Sequence, residues 1–209
     1  MSKEKILPNK ILCLVTDTKI KNRKETLRII EKAISSGVNM IQLREKHLSS
    51  LELLNLGKEI KDITKNKALF IINDRLDIAM TLKCDGVHLG EKSIPVELVK
   101  NIIGGNFLIG KSIHKINPNL SKYESLINYW ILGPIFKTLS HPNINPIGTN
   151  PISDLKKISK IPIIGIGGIN QNNSKKIIEK GATGIAVKRY ILKSEKISKD
   201  TKIIWKSIT

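Results

Sequence analysis

Ile161-Pro-Ile-Ile-Gly-Ile-Gly-Gly-Ile169, then a lysine-rich stretch, then Gly184-Ile-Ala-Val-Lys-Arg189 is the passage that decides how this chain of 209 residues folds. Two short apolar runs each end in glycines or cations, and Ile177 and Ile178 lie between them at helical spacing with lysines around them. A run that is apolar without alternation is what a strand covered on both faces requires. Working outward in both directions, the same beat recurs. Apolar runs fall at residues 11–15, 40–43, 68–72, 86–89, 107–109, 129–132, 162–166 and 184–187. Between them, Leu27, Ile30 and Ile34, then Leu53, Leu56, Ile60 and Ile63, then Val96, Val99 and Ile103 repeat three and four apart, as on one face of a helix. Eight strands alternating with about eight helices predict an α/β chain folded as a (β/α)₈ TIM barrel. The expected organisation is one domain, 1–209, with its barrel core at about 11–192. The rival, a doubly wound open sheet, lacks a Gly-x-Gly-x-x-Gly string after the first strand. Residues 112–128, interrupted by Pro118, give the weakest helix, and 134–151 the longest loop between a strand and a helix.

Composition narrows the function classes. With 40% apolar residues the chain can bury a sizeable core, which excludes intrinsic disorder. No stretch of eighteen apolar residues occurs, so no membrane span is expected. Two cysteines, Cys13 and Cys84, are too few for a disulfide scaffold, and the first ten residues lack the apolar core of a signal peptide, so a cytoplasmic protein is expected. The formal charge of +18 attracts polyanions, but the lysines are spread along the chain and aromatics are only 4%. We therefore expect no nucleic-acid partner and leave homo-oligomer formation open.

In a barrel of this kind the site lies at the C-terminal ends of the strands. The residues there share a chemical theme. Gln42 lies near the end of the second run and Arg44 and Lys46 follow it; Asn73 and Asp74 follow the third, Ser93 the fourth, Ser112 and His114 the fifth. Thr138, Ser140 and His141 lie in the long loop after the sixth, Gly167 and Gly168 follow the seventh, and Lys188 and Arg189 the eighth. Cations, hydroxyls and glycine amides describe a mouth for phosphorylated ligands, because an amide without a neighbouring Cβ can approach a phosphate closely. Asp74 is a hard oxygen donor suited to Mg²⁺. No His-x-x-x-His, paired-Cys or Gly-x-Ser-x-Gly string points to zinc or serine-hydrolase chemistry. The residues alone reach a barrel enzyme acting on phosphorylated small molecules.

The strings Gln42-Leu-Arg-Glu-Lys46, Ile72-Asn-Asp-Arg-Leu-Asp-Ile-Ala79, Asp85-Gly-Val-His-Leu-Gly90, Gly110-Lys-Ser-Ile-His114, Leu132-Gly-Pro-Ile-Phe136 and Ile164-Gly-Ile-Gly-Gly-Ile169 resemble, in order and spacing, the thiamine-phosphate synthase superfamily. The resemblance implies a transferase that couples an aminopyrimidine-methyl diphosphate to a thiazole phosphate with Mg²⁺ and releases diphosphate. It implies that Gln42, Arg44, Lys46, Asn73 and Ser112 contact the pyrimidine substrate, that Asp74 ligates metal, and that Thr138, Ser140 and Gly168 hold the thiazole phosphate. Three positions depart from the pattern. A second metal aspartate falls on Ser93, a diphosphate lysine on His141, and a phosphate-site serine on Arg189. A thiazole tautomerase of the same superfamily, using His114 as acid and base, stays open as an alternative, as does a drifted barrel that only binds phosphorylated ligands.

Overall fold

In the computed structural model, which describes residues 5–103, 107–140 and 142–209, eight parallel strands close on themselves. They are β1 (Ile11–Val15), β2 (Met40–Leu43), β3 (Leu69–Asn73), β4 (Gly86–Leu89), β5 (Leu108–Ile113), β6 (Tyr129–Leu132), β7 (Ile163–Ile166) and β8 (Gly184–Val187). Each pairs with the next, and β8 pairs with β1 through Ile11 opposite Gly184 and Leu14 opposite Val187. The helices α1 (Arg23–Ile34), α2 (Ser50–Thr64), α3 (Leu76–Thr81) and α4 (Val96–Ile103) follow the first four strands. A 3₁₀ helix, Pro118–Tyr123, follows β5; α5 (Asn150–Ile158) and α6 (Ser174–Glu179) follow β6 and β7; α7 (Arg189–Leu192) and α8 (Ile197–Lys206) follow β8. This is the expected TIM barrel.

Two apolar layers explain why the strands read as unbroken runs. Ile11, Cys13 and Val15 point into the barrel, where they meet Met40, Ile71, Leu108, Tyr129, Ile131, Ile164 and Ala186. Their neighbours Leu12 and Leu14 point the other way, into the layer between strands and helices. Side chains alternate along a strand, so both sets must be apolar when both faces are covered. Burial inside the barrel pushes the Cys13 thiol up to about 12, which makes it an inert packing group. Local signals start the helices: Asn22 accepts from the Glu25 N–H at 3.0 Å, and Ser49 with Glu52 forms a reciprocal capping box on α2. Each such cap contributes about 1 kcal/mol.

The structure differs from the sequence reading at three places. β5 runs to Ile113 rather than ending near residue 109, because Lys111 and Ser112 pair with Trp130 and Ile131 on β6. Ser112 is therefore a strand residue. Asn73 likewise closes β3, paired with His88. The α6 helix starts after Asn173, although Asn170 and Asn172 are residues of the same capping type; the Asn170 side chain instead caps the preceding turn by accepting from the Asn172 N–H at 2.8 Å. Among the described residues no helix is long and apolar enough to cross a membrane.

Candidate active site

The strand ends place the polar residues on one rim, in two arcs. The first spans β2 to β5. Gln42 is buried and inward-facing, and its Nε2 donates to Asn73 Oδ1 at 3.2 Å. Asn73 Nδ2 donates in turn to Asp74 Oδ2 at 2.8 Å. Asp74 has φ +61°, a left-handed conformation that aspartate tolerates better than most residues. Its N–H bonds the His88 carbonyl at 2.9 Å. From this turn its Oδ1 accepts from the Ser93 hydroxyl, which itself accepts from the Gly90 N–H at 2.6 Å. Gln42, Asn73, Asp74 and Ser93 thus form one hydrogen-bonded series across three strand ends.

His88 lies beneath this series, 2% exposed, stacked on Tyr129 with ring centroids 5.7 Å apart. Its Nε2 is 2.7 Å from Ser112 Oγ, and its Nδ1 has no hydrogen-bond partner among the described residues. Burial pushes its pKa down to about 3, so the ring is neutral; Asp74 raises it, and Arg44 and Lys111 lower it. Arg44 and Asp74 both lie near enough to His88 to act on its charge. Lys111, outward-facing and half-buried, has its pKa lowered by burial, and its Nζ lies 5.6 Å from the Tyr123 ring centroid. Lys46 is exposed. His114 is exposed too; its Nδ1 bonds the Gly133 carbonyl. A carbonyl only accepts, so Nδ1 carries a proton, and the neutral form of the ring would have its lone pair on Nε2.

The second arc spans β6 to β8. The loop after β6 is stapled to β7: the Ile135 N–H bonds the Ile166 carbonyl at 2.8 Å and the Phe136 N–H the Gly167 carbonyl at 3.0 Å. The turn at Gly168 lies against Phe136 and Lys137, and Thr138 and Ser140, half-buried and joined by a 3.3 Å bond from the Ser140 N–H to Thr138 Oγ1, follow in the same loop. Gly167 and Gly168 have φ +103° and +64°, and a Cβ on Gly167 would lie 2.7 Å from Pro134 Cα. Both glycines are therefore required by backbone geometry, apart from any ligand. Lys188 Nζ bonds Asp17 Oδ2 at 2.9 Å with both side chains largely buried, so its charge is balanced. Arg189, half-buried, forms no ion pair with any described residue. His141 lies outside the described residues.

The loop after β1 joins the arcs. Thr16 Oγ1 accepts from the Arg44 N–H at 3.0 Å, Asp17 holds Lys188, and Thr18 bonds Glu45. Sequence reasoning gave no role in the site to Asp17, Thr18, Glu45 or His88. Only Glu45 and His88 carried a signal, as parts of quoted strings. Arg44 and Glu45, adjacent in sequence and opposite in charge, form no ion pair: Glu45 is buried and turned to Thr18.

A family model described as thiamine monophosphate synthase matches residues 12–191, nearly the whole barrel. The chain belongs to the thiamine monophosphate synthase family. The Clostridium acetobutylicum thiamine-phosphate synthase is 36% identical over 195 residues, covering 93% of this chain and 92% of that one. A putative thiamine-phosphate synthase 2 of Aquifex aeolicus is 40% identical over 176 residues, covering 84% and 94%. Among solved structures, the thiamine phosphate pyrophosphorylase of Pyrococcus furiosus superposes with a TM-score of 0.85 at 29% identity, covering 96% of each chain. A 3-hexulose-6-phosphate synthase, TM-score 0.72 at 14% identity, shares the fold alone.

Proposed function

We propose that the chain is a thiamine-phosphate synthase, which joins an aminopyrimidine-methyl diphosphate to a thiazole phosphate and releases diphosphate. The observation that carries this reading is the arrangement of the polar strand-end residues in two arcs joined by one loop, in a member of this family. Arg44, Lys46, Gln42, Asn73 and Ser112 take the pyrimidine diphosphate. Thr138, Ser140, the Gly167-Gly168 amides, Lys188 and Arg189 take the thiazole phosphate. The bond from the pyrimidine methylene to oxygen breaks, its electron pair leaves with diphosphate, and the thiazole nitrogen lone pair forms the new carbon–nitrogen bond. The residues contribute position and charge: adjacent sites replace a bimolecular encounter, and Arg44 and Lys46 stabilise the departing anion.

The donors fit Mg²⁺ sparsely. Asp74 and Ser93 present hard oxygens side by side, but no three acidic, histidine or cysteine groups converge among the described residues. A cation that keeps several waters and substrate phosphate oxygens needs little more than one carboxylate. Asp74 and Ser93 would hold it, and it would supply charge neutralisation of the diphosphate. A cytoplasmic location accords with two free, buried cysteines.

Purified protein given both substrates and Mg²⁺ should release diphosphate, and release should collapse in Lys46→Ala and Asp74→Ala. No release above the enzyme-free control refutes the reading. One observation favours a second: His114, with Nδ1 fixed on Gly133, presents Nε2 as a base, as a thiazole tautomerase needs. That reading expects metal-independent isomerisation of a thiazole carboxylate phosphate, lost in His114→Asn; activity retained by that variant excludes it.

A further inference from the structure

We infer that Glu45 is a positioning residue, whose buried carboxylate clamps the loop after β1 to the loop after β2 and so fixes Arg44 and Lys46 for the diphosphate. The inference rests on the synthase reading for its substrate. Glu45 is 5% exposed, although it sits between two cations in a solvent-facing turn. Its Oε2 accepts from both the Thr18 N–H and the Thr18 hydroxyl, each at 2.8 Å. His47 completes the cluster, with Nε2 3.1 Å from Thr18 Oγ1 and Nδ1 3.8 Å from Oε2. Glu45 Oε1 has no hydrogen-bond partner among the described residues.

A carboxylate withdrawn from water is costly unless it is well paired. Here both hydrogen bonds come from a single residue of the neighbouring loop. Losing them would leave the charge buried with little compensation, so the two loops are held together more firmly than backbone bonds alone would hold them. Nearby bonds join the same two loops: the Thr16 N–H bonds the Gln42 carbonyl at 3.0 Å, and the Arg44 N–H bonds Thr16 Oγ1 at 3.0 Å. The Glu45 side chain is buried against Thr18, while Gln42, inside the barrel end, bonds Asn73, and Arg44 between them stays half-buried. Glu45 needs no contact with substrate. Its role is to deny Arg44 and Lys46 the freedom that exposed long side chains on a loose turn would have.

Thr18→Val removes the hydroxyl donor at nearly constant shape, and Thr18→Ser keeps it. Titration calorimetry with inorganic diphosphate and Mg²⁺ reads the first arc without turnover; steady-state kinetics reads both. Thr18→Val should weaken diphosphate binding by about tenfold and raise KM for the pyrimidine diphosphate similarly, since small displacements of positioning groups cost up to about a hundredfold. KM for the thiazole phosphate should stay within about twofold, and Thr18→Ser should behave as the wild type. Unchanged diphosphate affinity in Thr18→Val, or an equal rise in both KM values, overturns the inference. A wild-type protein that binds diphosphate without forming product refutes the synthase reading, and the binding measurement still decides the clamp.

Discussion

Replacing His88 by glutamine should remove a large part of the protein's sensitivity to mild acid. The imidazole is buried, and its pKa falls from an ordinary 6.5 to about 3 because charging it there forfeits hydration. As pH drops through 6.5, the unfolded chain takes up a proton at this position and the native chain does not, until pH approaches 3. Stability is therefore lost across that window and unaffected above it. Each pH unit below the unfolded value costs about 1.4 kcal/mol, so a fall from about pH 7 to about pH 4.5 removes about 3 kcal/mol through this one group. Glutamine does not titrate and can still hydrogen-bond Ser112. Urea unfolding of both proteins at the two pH values isolates the effect, because every other titrating group is common to both. The wild type should lose about 3 kcal/mol more than His88→Gln. Losses that agree within about 0.5 kcal/mol would refute the argument that His88 is held neutral.

Other outcomes follow from the same geometry. Gly168→Ala places a Cβ against the Lys137 carbonyl at φ +64°, and should cost about 2–5 kcal/mol in urea unfolding and raise KM for the thiazole phosphate. Gly148→Ala, at φ +72° with nothing within 4 Å of the new Cβ, should cost only the strain of about 1–2 kcal/mol; equal costs would show that crowding at Gly168 is absent. Ser93→Asp adds a second carboxylate beside Asp74 and should tighten Mg²⁺ binding to the ligand-free protein by about tenfold in calorimetry. No tightening would mean that the two side chains do not share an ion.

The barrel was legible because burial on both faces leaves a signal that no local preference obscures: five residues from Ile11 to Val15 are apolar in both directions. The ends of β3 and β5 were less legible. Asn73 and Ser112 are polar and look like loop, yet the neighbouring strands hold them in the ladder. The helix expected after β5 is only a 3₁₀ turn, where Pro118 sits at its start. In the site, residues that follow apolar runs could be gathered from the sequence, since topology alone puts strand ends together. Their pairing could not. That Asp17 neutralises Lys188 spans 171 residues, and that Glu45 turns from Arg44 to Thr18 depends on which face of the turn is buried. Neither is written in local spacing.

Coupling the two substrates requires two anions to occupy one rim together. Calorimetric titration of the protein with thiazole phosphate, with and without saturating diphosphate and Mg²⁺, tests this directly. The expected result is that both bind at once, with Lys46→Ala weakening only diphosphate and Gly168→Ala weakening only the thiazole phosphate. Strict competition between the two, or one variant abolishing both, would contradict it.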